Sequence, residues 1–228
     1  MRKIVLCAFV LLFCLSIEAG ASATAQTPSN DPVELIQERA SHVVAGIMQR
    51  NSLRTARFNQ EMSKINLLRP LDAVNLDSAH IPATTLKMHA FLDFLGQYRD
   101  SSTAILRTLE DSVAALRADM PHEYQETFLS KFLAAYTQDS KAFDGYTLAI
   151  SSLDKQVAEI LHFLEHAKHG VVNNMVKFND ADIYKDYQAL MKTLNERNAD
   201  LAKASQLPRQ TQPVLQESLN NLFPDPGQ

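Results

Sequence analysis

From Leu129 to Val171 the chain sets Leu129, Phe132, Tyr136, Asp139, Phe143, Tyr146, Ile150, Leu153, Val157, Ile160, Leu164, Ala167 and Val171 at alternating spacings of three and four. Only a helix brings such a series onto one face, because side chains of a strand alternate with a period of two. A seam this narrow, held for about six heptads, has to be buried against other helices. Asp139 is its one charged member. The helix is expected to end near Gly170 or Phe178.

The flanking segments repeat the helical period. Asn30-Asp31-Pro32-Val33-Glu34 is a helix start, with Asp31 as cap, proline at the first position and an acid in the first turn. Val33, Ile36, Ala40, Val43 and Ile47 form one apolar face, and Phe58, Met62, Ile65 and Leu68 a second. The two do not share a register, so the polar stretch from Gln49 to Thr55 is expected to unwind locally or to break at Ser52. Arg69-Pro70 ends this segment. Leu71, Val74, Leu76 and Ile81 of the following loop are expected to fold back on the bundle end. A second helix from about Pro82 carries Leu92, Leu95, Arg99, Ser102, Leu106, Leu109, Val113, Leu116 and Met120, with a tight reversal at Pro121. A fourth helix, capped by Asp180 and closed by Pro208, uses Ile183, Tyr187, Leu190, Leu194, Leu201 and Ala204. The fold class is therefore all-α, an elongated antiparallel (up-down) four-helix bundle with coiled-coil-like packing, and no strand alternation competes with it. Residues 26–207 make the bundle and 208–228 a C-terminal tail that holds at most a short amphipathic turn.

Residues 1–25 read as a secretory signal peptide. Arg2 and Lys3 precede an apolar run from Ile4 to Ile17, and Ala21-Ser22-Ala23 and Ala23-Thr24-Ala25 are small-residue cleavage sites. The run is short for a membrane span, and neither cysteine stands in a lipoprotein context, because Phe13 and Leu6 precede them. Both cysteines, Cys7 and Cys14, leave with the leader, which excludes disulfides, thiolate chemistry and cysteine-bound metal from the mature chain. Without Arg2, Lys3 and Glu18, 20 basic and 25 acidic residues remain, a formal charge of −5. Such a balance offers no basic face for nucleic acid, and no second apolar run of spanning length follows the leader. The expected location is periplasmic or secreted.

Polar residues interrupt three of the seams at one height. Folding the second helix back on the third at Pro121 sets Ser102 opposite Asp139 and Tyr98 opposite Phe143, and the polar middle of the first helix reaches the same level. Arg54 (or Arg50), Arg99, Ser102 and Asp139 thus form one layer. It reads either as a buried ion pair, Asp139 with Arg99 or Arg54, that fixes register, or as a pocket for an anionic or aromatic ligand lined by Phe94, Tyr98, Tyr136, Phe143 and Tyr146.

His162-Phe163-Leu164-Glu165-His166 resembles the H-x-x-E-H pattern of inverted zinc peptidases, a resemblance confined to these five residues. Heptad position sends His162, His166 and His169 away from the seam, and the same placement argues against a ferritin-like Glu159-x-x-His162 site. The three histidines form at most a surface metal site. No nucleophile elbow, phosphate loop or dinucleotide-binding glycine pattern is present in the sequence. The sequence thus points to a non-catalytic exported protein without cofactor. Its partner is expected to be another envelope or secreted protein, or a second copy of itself.

Overall fold

The computed structural model describes residues 32–72, 75–76, 79–119, 128–173 and 175–222. The leader, Val74, the reversal at Pro121 and the chain end from residue 223 lie outside these residues. The described chain is mostly helical: α1 (Pro32–Lys64), α2 (Ile81–Ala118), α3 (Phe128–His166), a hairpin of β1 (His169–Val172) and β2 (Met175–Phe178), then α4 (Ala181–Ala204) and α5 (Leu207–Leu222). None of these helices is long and apolar enough to cross a membrane.

The long central helix is α3, packed against α2, α4 and α5, while α1 packs on α2. Its expected seam is largely buried, with Phe132, Tyr136, Phe143, Ile150, Leu153, Val157, Ile160 and Leu164 in the core. Two further stripes at seven-residue spacing flank the seam. Ala135 and Ala142 are buried and Ala149 packs on the core, followed by buried Gln156, whose amide donates to the Leu190 carbonyl of α4 at 3.4 Å. On the opposite flank Ser140, Thr147, Asp154 and Leu161 are all buried. A helix with neighbours on both flanks buries a broad arc, and small side chains let those neighbours approach.

Four expectations need correction. First, α1 runs unbroken through Gln49–Thr55. The polar stretch keeps helical geometry while Leu53 points outward at 67% exposure. Second, α2 buries Phe91, Tyr98 and Ile105, each one residue before the expected Leu92, Arg99 and Leu106, and Met88 joins them, while Leu95, Ser102, Leu109, Val113 and Leu116 are buried as expected. The aromatic residues offer more apolar area than the leucine and arginine of the expected face, and so take the inward positions. Third, α3 stops at His166, short of Gly170 or Phe178, and a hairpin follows that pairs Val172 with Met175 and His169 with Phe178. Asn173 takes a positive φ of 53° at the turn, a conformation that Asn tolerates and tight hairpins require. Fourth, residues 208–222 belong to the bundle. Helix α5 packs along α3 and buries Leu215 and Leu219. Pro208 opens this helix, since the second position of a helix needs no amide donor.

Side-chain contacts give each neighbour's course. Arg39 meets Asp119 at 3.4 Å near one end of α1 and α2, and Phe58 packs on Phe94 nearer the other. Arg117 bonds Ser130 across the α2–α3 end, and Ser102 faces Ser140 at 3.3 Å further along. Tyr187 of α4 stacks on Phe163, while Thr211 of α5 reaches Asp139, so α4 and α5 run back along α3 in succession. In the loop before α2, Leu76 is buried and Leu71 packs on the core, and Ile81, the first residue of α2, is buried as well, as their hydrophobicity requires.

Candidate functional site

The core is divided in two. One cluster holds Phe58, Phe91, Leu95, Tyr98, Phe143, Ile150, Leu153, Val157, Ile160, Leu161 and Leu164, and the other holds Val44, Ile47, Ile105, Leu109, Phe132, Tyr136, Leu215 and Leu219. Ser102, Asp139, Ser140, Arg54 and Thr211 stand where the two clusters meet, at the height at which the sequence places its polar layer. Helical spacing explains the convergence: each side chain occupies an inward position of its own helix, and each is polar there.

Contacts within the layer differ from an ion pair. The Thr211 hydroxyl donates to Asp139 Oδ1 at 2.6 Å, so α5 supplies the partner that Arg54 or Arg99 was expected to supply. Burial raises the Asp139 carboxyl above its ordinary value, opposed by the Thr211 bond and by the charge of Arg54. Arg54 lies with its guanidinium carbon 4.6 Å from the centre of the Tyr98 ring and donates from Nη2 to Asn51 Oδ1 at 2.6 Å. Its Nε and Nη1 are buried without a partner. Burial also raises Asp144, against the charges of Arg99 and then Arg54. Tyr136 is pushed up to about 12, by burial first.

The aromatic residues expected to line a pocket pack on one another. Tyr98 lies 4.6 Å from Phe58 and 6.3 Å from Phe143 between ring centres, and Phe143 meets Tyr146 edge-on at 6.2 Å. Tyr136 sits on the other side of the layer, against Phe132. The structure thus brings Arg54, Tyr98, Ser102, Tyr136, Asp139, Phe143 and Tyr146 to one zone, with Arg99 at its half-buried edge. Arg50 is exposed.

The histidines separate. His162 and His166 remain on the exposed face of α3, ring centres 4.6 Å apart, and with Glu165 place one ligand atom each within 4.8 Å of one another. His166 Nδ1 is 2.9 Å from the His162 carbonyl. A carbonyl only accepts, so that nitrogen carries the proton and Nε2 is left to hold a divalent ion. His169 is not part of the stripe, because the helix has ended. Its Nδ1 faces the Ala167 carbonyl at 2.9 Å and its Nε2 the Leu76 carbonyl at 3.0 Å, which ties the hairpin to the loop before α2.

One group escaped the sequence reading. Asp154 is 1% exposed, and its Oδ2 has no hydrogen-bond partner. It lines a cavity of about 350 Å³ bounded by the end of α1, the segment after it and the first turns of α2. Its signal was the spacing Ser140, Thr147, Asp154, Leu161, a heptad stripe beside the seam.

Fold and site together define an all-α helical bundle with a polar waist and one deep carboxylate. No protein-family model, curated protein or solved structure matches the chain.

Proposed function

We propose that the protein is an exported, non-catalytic component of a bacterial cell envelope, an up-down bundle with coiled-coil-like packing that works by binding another protein. The observation that carries this reading is the hairpin. Its inner face, with Val176 and Phe178, packs on the core, while Val172 and Met175 pair across its outer face at 47% and 57% exposure. The sheet has two strands, so among the described residues each strand keeps one unpaired edge. An isolated pair of strands is marginal in water, and an extended segment of a partner added to an open edge would supply both missing hydrogen bonds and apolar cover. The occupant we assign is such a segment from another envelope or secreted protein.

A photo-cross-linking side chain placed at Val172 or Met175 tests this in the exporting cell. A discrete adduct is expected at both positions and not at Leu53 or Leu86, which are more exposed, on other surfaces. Adducts of the same pattern at all four, or none at the hairpin, would refute the assignment; an adduct of twice the chain's mass would mean self-association instead. N-terminal sequencing of the released protein tests export, the expected start lying near Thr24 or Gln26.

A second reading, an anionic ligand at the waist, is favoured by the unpartnered Nε and Nη1 of Arg54. Native mass spectrometry of the purified protein tests it, a bound anion lost on Arg54→Met being the supporting result.

A further inference from the structure

The cavity at Asp154 has a charge pattern that selects its ligand. Leu67, Met88, Phe91 and Asp154 are its buried walls, and Lys64, Arg69 and Lys87, all exposed, stand at its mouth. Asn66, Asn75 and Thr84 complete the polar lining. At depth there is one acceptor, Asp154 Oδ2, with nothing bonded to it. A buried acceptor without a donor is unfavourable, and a ligand that brings a donor removes that penalty.

The alternatives can be ranked by what each leaves unsatisfied. A neutral apolar molecule would cover Met88 and Phe91 but leave the carboxyl alone. A simple anion would be drawn to Arg69 and Lys87 and repelled by the group at the floor. A simple cation would find Asp154 only after passing Arg69 and Lys87, Lys64 being bound to Glu61 at 2.8 Å. A molecule positive at one end and negative at the other meets every group with its complement. We infer that this cavity binds a small zwitterion of the α-amino acid class, its ammonium on Asp154, its carboxylate toward Lys87 and Arg69, and its side chain against Met88 and Phe91. The volume lies at the small end of the range usual for ligand pockets, about 300–1,000 Å³, as a molecule of that size requires. Burial holds the Asp154 carboxyl at about 7. An ammonium beside it favours the ionised form, so binding near neutral pH releases protons.

The site is independent of the hairpin, and so is its test. The full mature chain is titrated with each of the common L-amino acids, with their N-acetyl derivatives and with their amides, read by thermal unfolding and by calorimetry in two buffers of different ionisation heat. At least one amino acid with an apolar side chain is expected to raise the melting temperature by about 5 °C at about 10 mM. Its N-acetyl derivative, which has no ammonium, is expected to have no effect, and its amide to bind at least about tenfold more weakly. Proton release on binding is expected in the wild type and not in Asp154→Asn, which should also lose at least about tenfold in affinity. Lys87→Met, at an exposed position, should weaken the acid and leave the amide unchanged. The inference is overturned if no amino acid shifts unfolding, if the N-acetyl derivative binds as well, or if Asp154→Asn binds as the wild type does.

Discussion

Replacing Asp154 by Asn should make the protein more stable at pH 8 and leave it unchanged at low pH. The ordinary value of the carboxyl is 3.8, and burial pushes it up to about 7 in the folded protein. Between those values the folded state keeps a proton that the unfolded state has lost. Unfolding then releases a proton, so stability falls as pH rises through this window. Below about pH 3 both states are protonated, and well above about pH 7 both are ionised, with the whole penalty in place. Holding a carboxylate across that interval corresponds to about 4 kcal/mol at 1.36 kcal/mol per pH unit. The group opens onto a cavity rather than solid protein, and screening by water there lowers the expected figure to about 2 kcal/mol. Asn has nearly the same shape and never ionises.

Urea unfolding of wild type and Asp154→Asn, followed by circular dichroism, measures the difference directly. It should be near zero at about pH 3, already present in part at about pH 4.5, and about 2 kcal/mol in favour of the variant at about pH 8, or a melting shift of about 4–8 °C. Asp139 and Asp144 are also raised by burial, but they are common to both proteins and cancel in the comparison. A difference that does not change with pH would refute the reasoning. So would a wild type more stable than the variant at pH 8, because it would mean that the carboxylate has a cation at hand in the folded state.

Four further outcomes follow from the same contacts. Thr211→Val removes the 2.6 Å bond to Asp139 and should lower stability by about 1.5–3 kcal/mol in urea, the range for a hydrogen bond to a charged acceptor. Ser102→Ala and Ser140→Ala should each cost more than half of what the double replacement costs, since one hydroxyl left alone is worse than none; a double-mutant cycle reads the coupling, about 0.5–1.5 kcal/mol. Ending the chain after Gln206 exposes the α3 surface under Leu215 and Leu219 and should remove about 3–6 kcal/mol, visible as a lower and broader melt. Zinc titration by calorimetry should give heat that His162→Ala and His166→Ala each abolish and His169→Ala leaves in place.

Much of the helical framework was legible because its signal is local. A three-four spacing in α3 fixes which face is apolar, and the buried set from Phe132 to Leu164 follows it closely. The polar waist was legible for a related reason: Ser102 and Asp139 are polar where their own helices require apolar residues, and such departures can be counted along each helix before any contact is known. Its wiring was not legible. Thr211 lies in a segment read as tail, so the donor to Asp139 came from a helix that the reading did not contain. The hairpin was missed because four apolar residues around Asn173 are too few to show alternation, although a turn-forming Asn between valines and Met175-Val176 was a usable cue.

The stripe that carries Asp154 shows what a seam leaves out. Spacings of three and four identify the positions of α3 that face one partner, but the number of partners is a tertiary fact. Pro208 has the sequence look of a stop, although proline at the second position of a helix sacrifices no hydrogen bond, and α5 continues along α3 beyond it. With α4 and α5 on one flank, and Met88 and Phe91 of α2 pointing inward, both flanks of α3 become interior. Ser140, Thr147 and Asp154 are then buried polar groups rather than the solvated border of a seam. Ser140 meets Ser102 and is satisfied, and Thr147 donates to the Asp144 carbonyl at 3.0 Å. Asp154 alone of the three has an oxygen without a partner, and it is the one that borders a cavity. Ser140 and Thr147 are thus satisfied within the chain, and Asp154 is the member of this stripe that the proposed ammonium would meet.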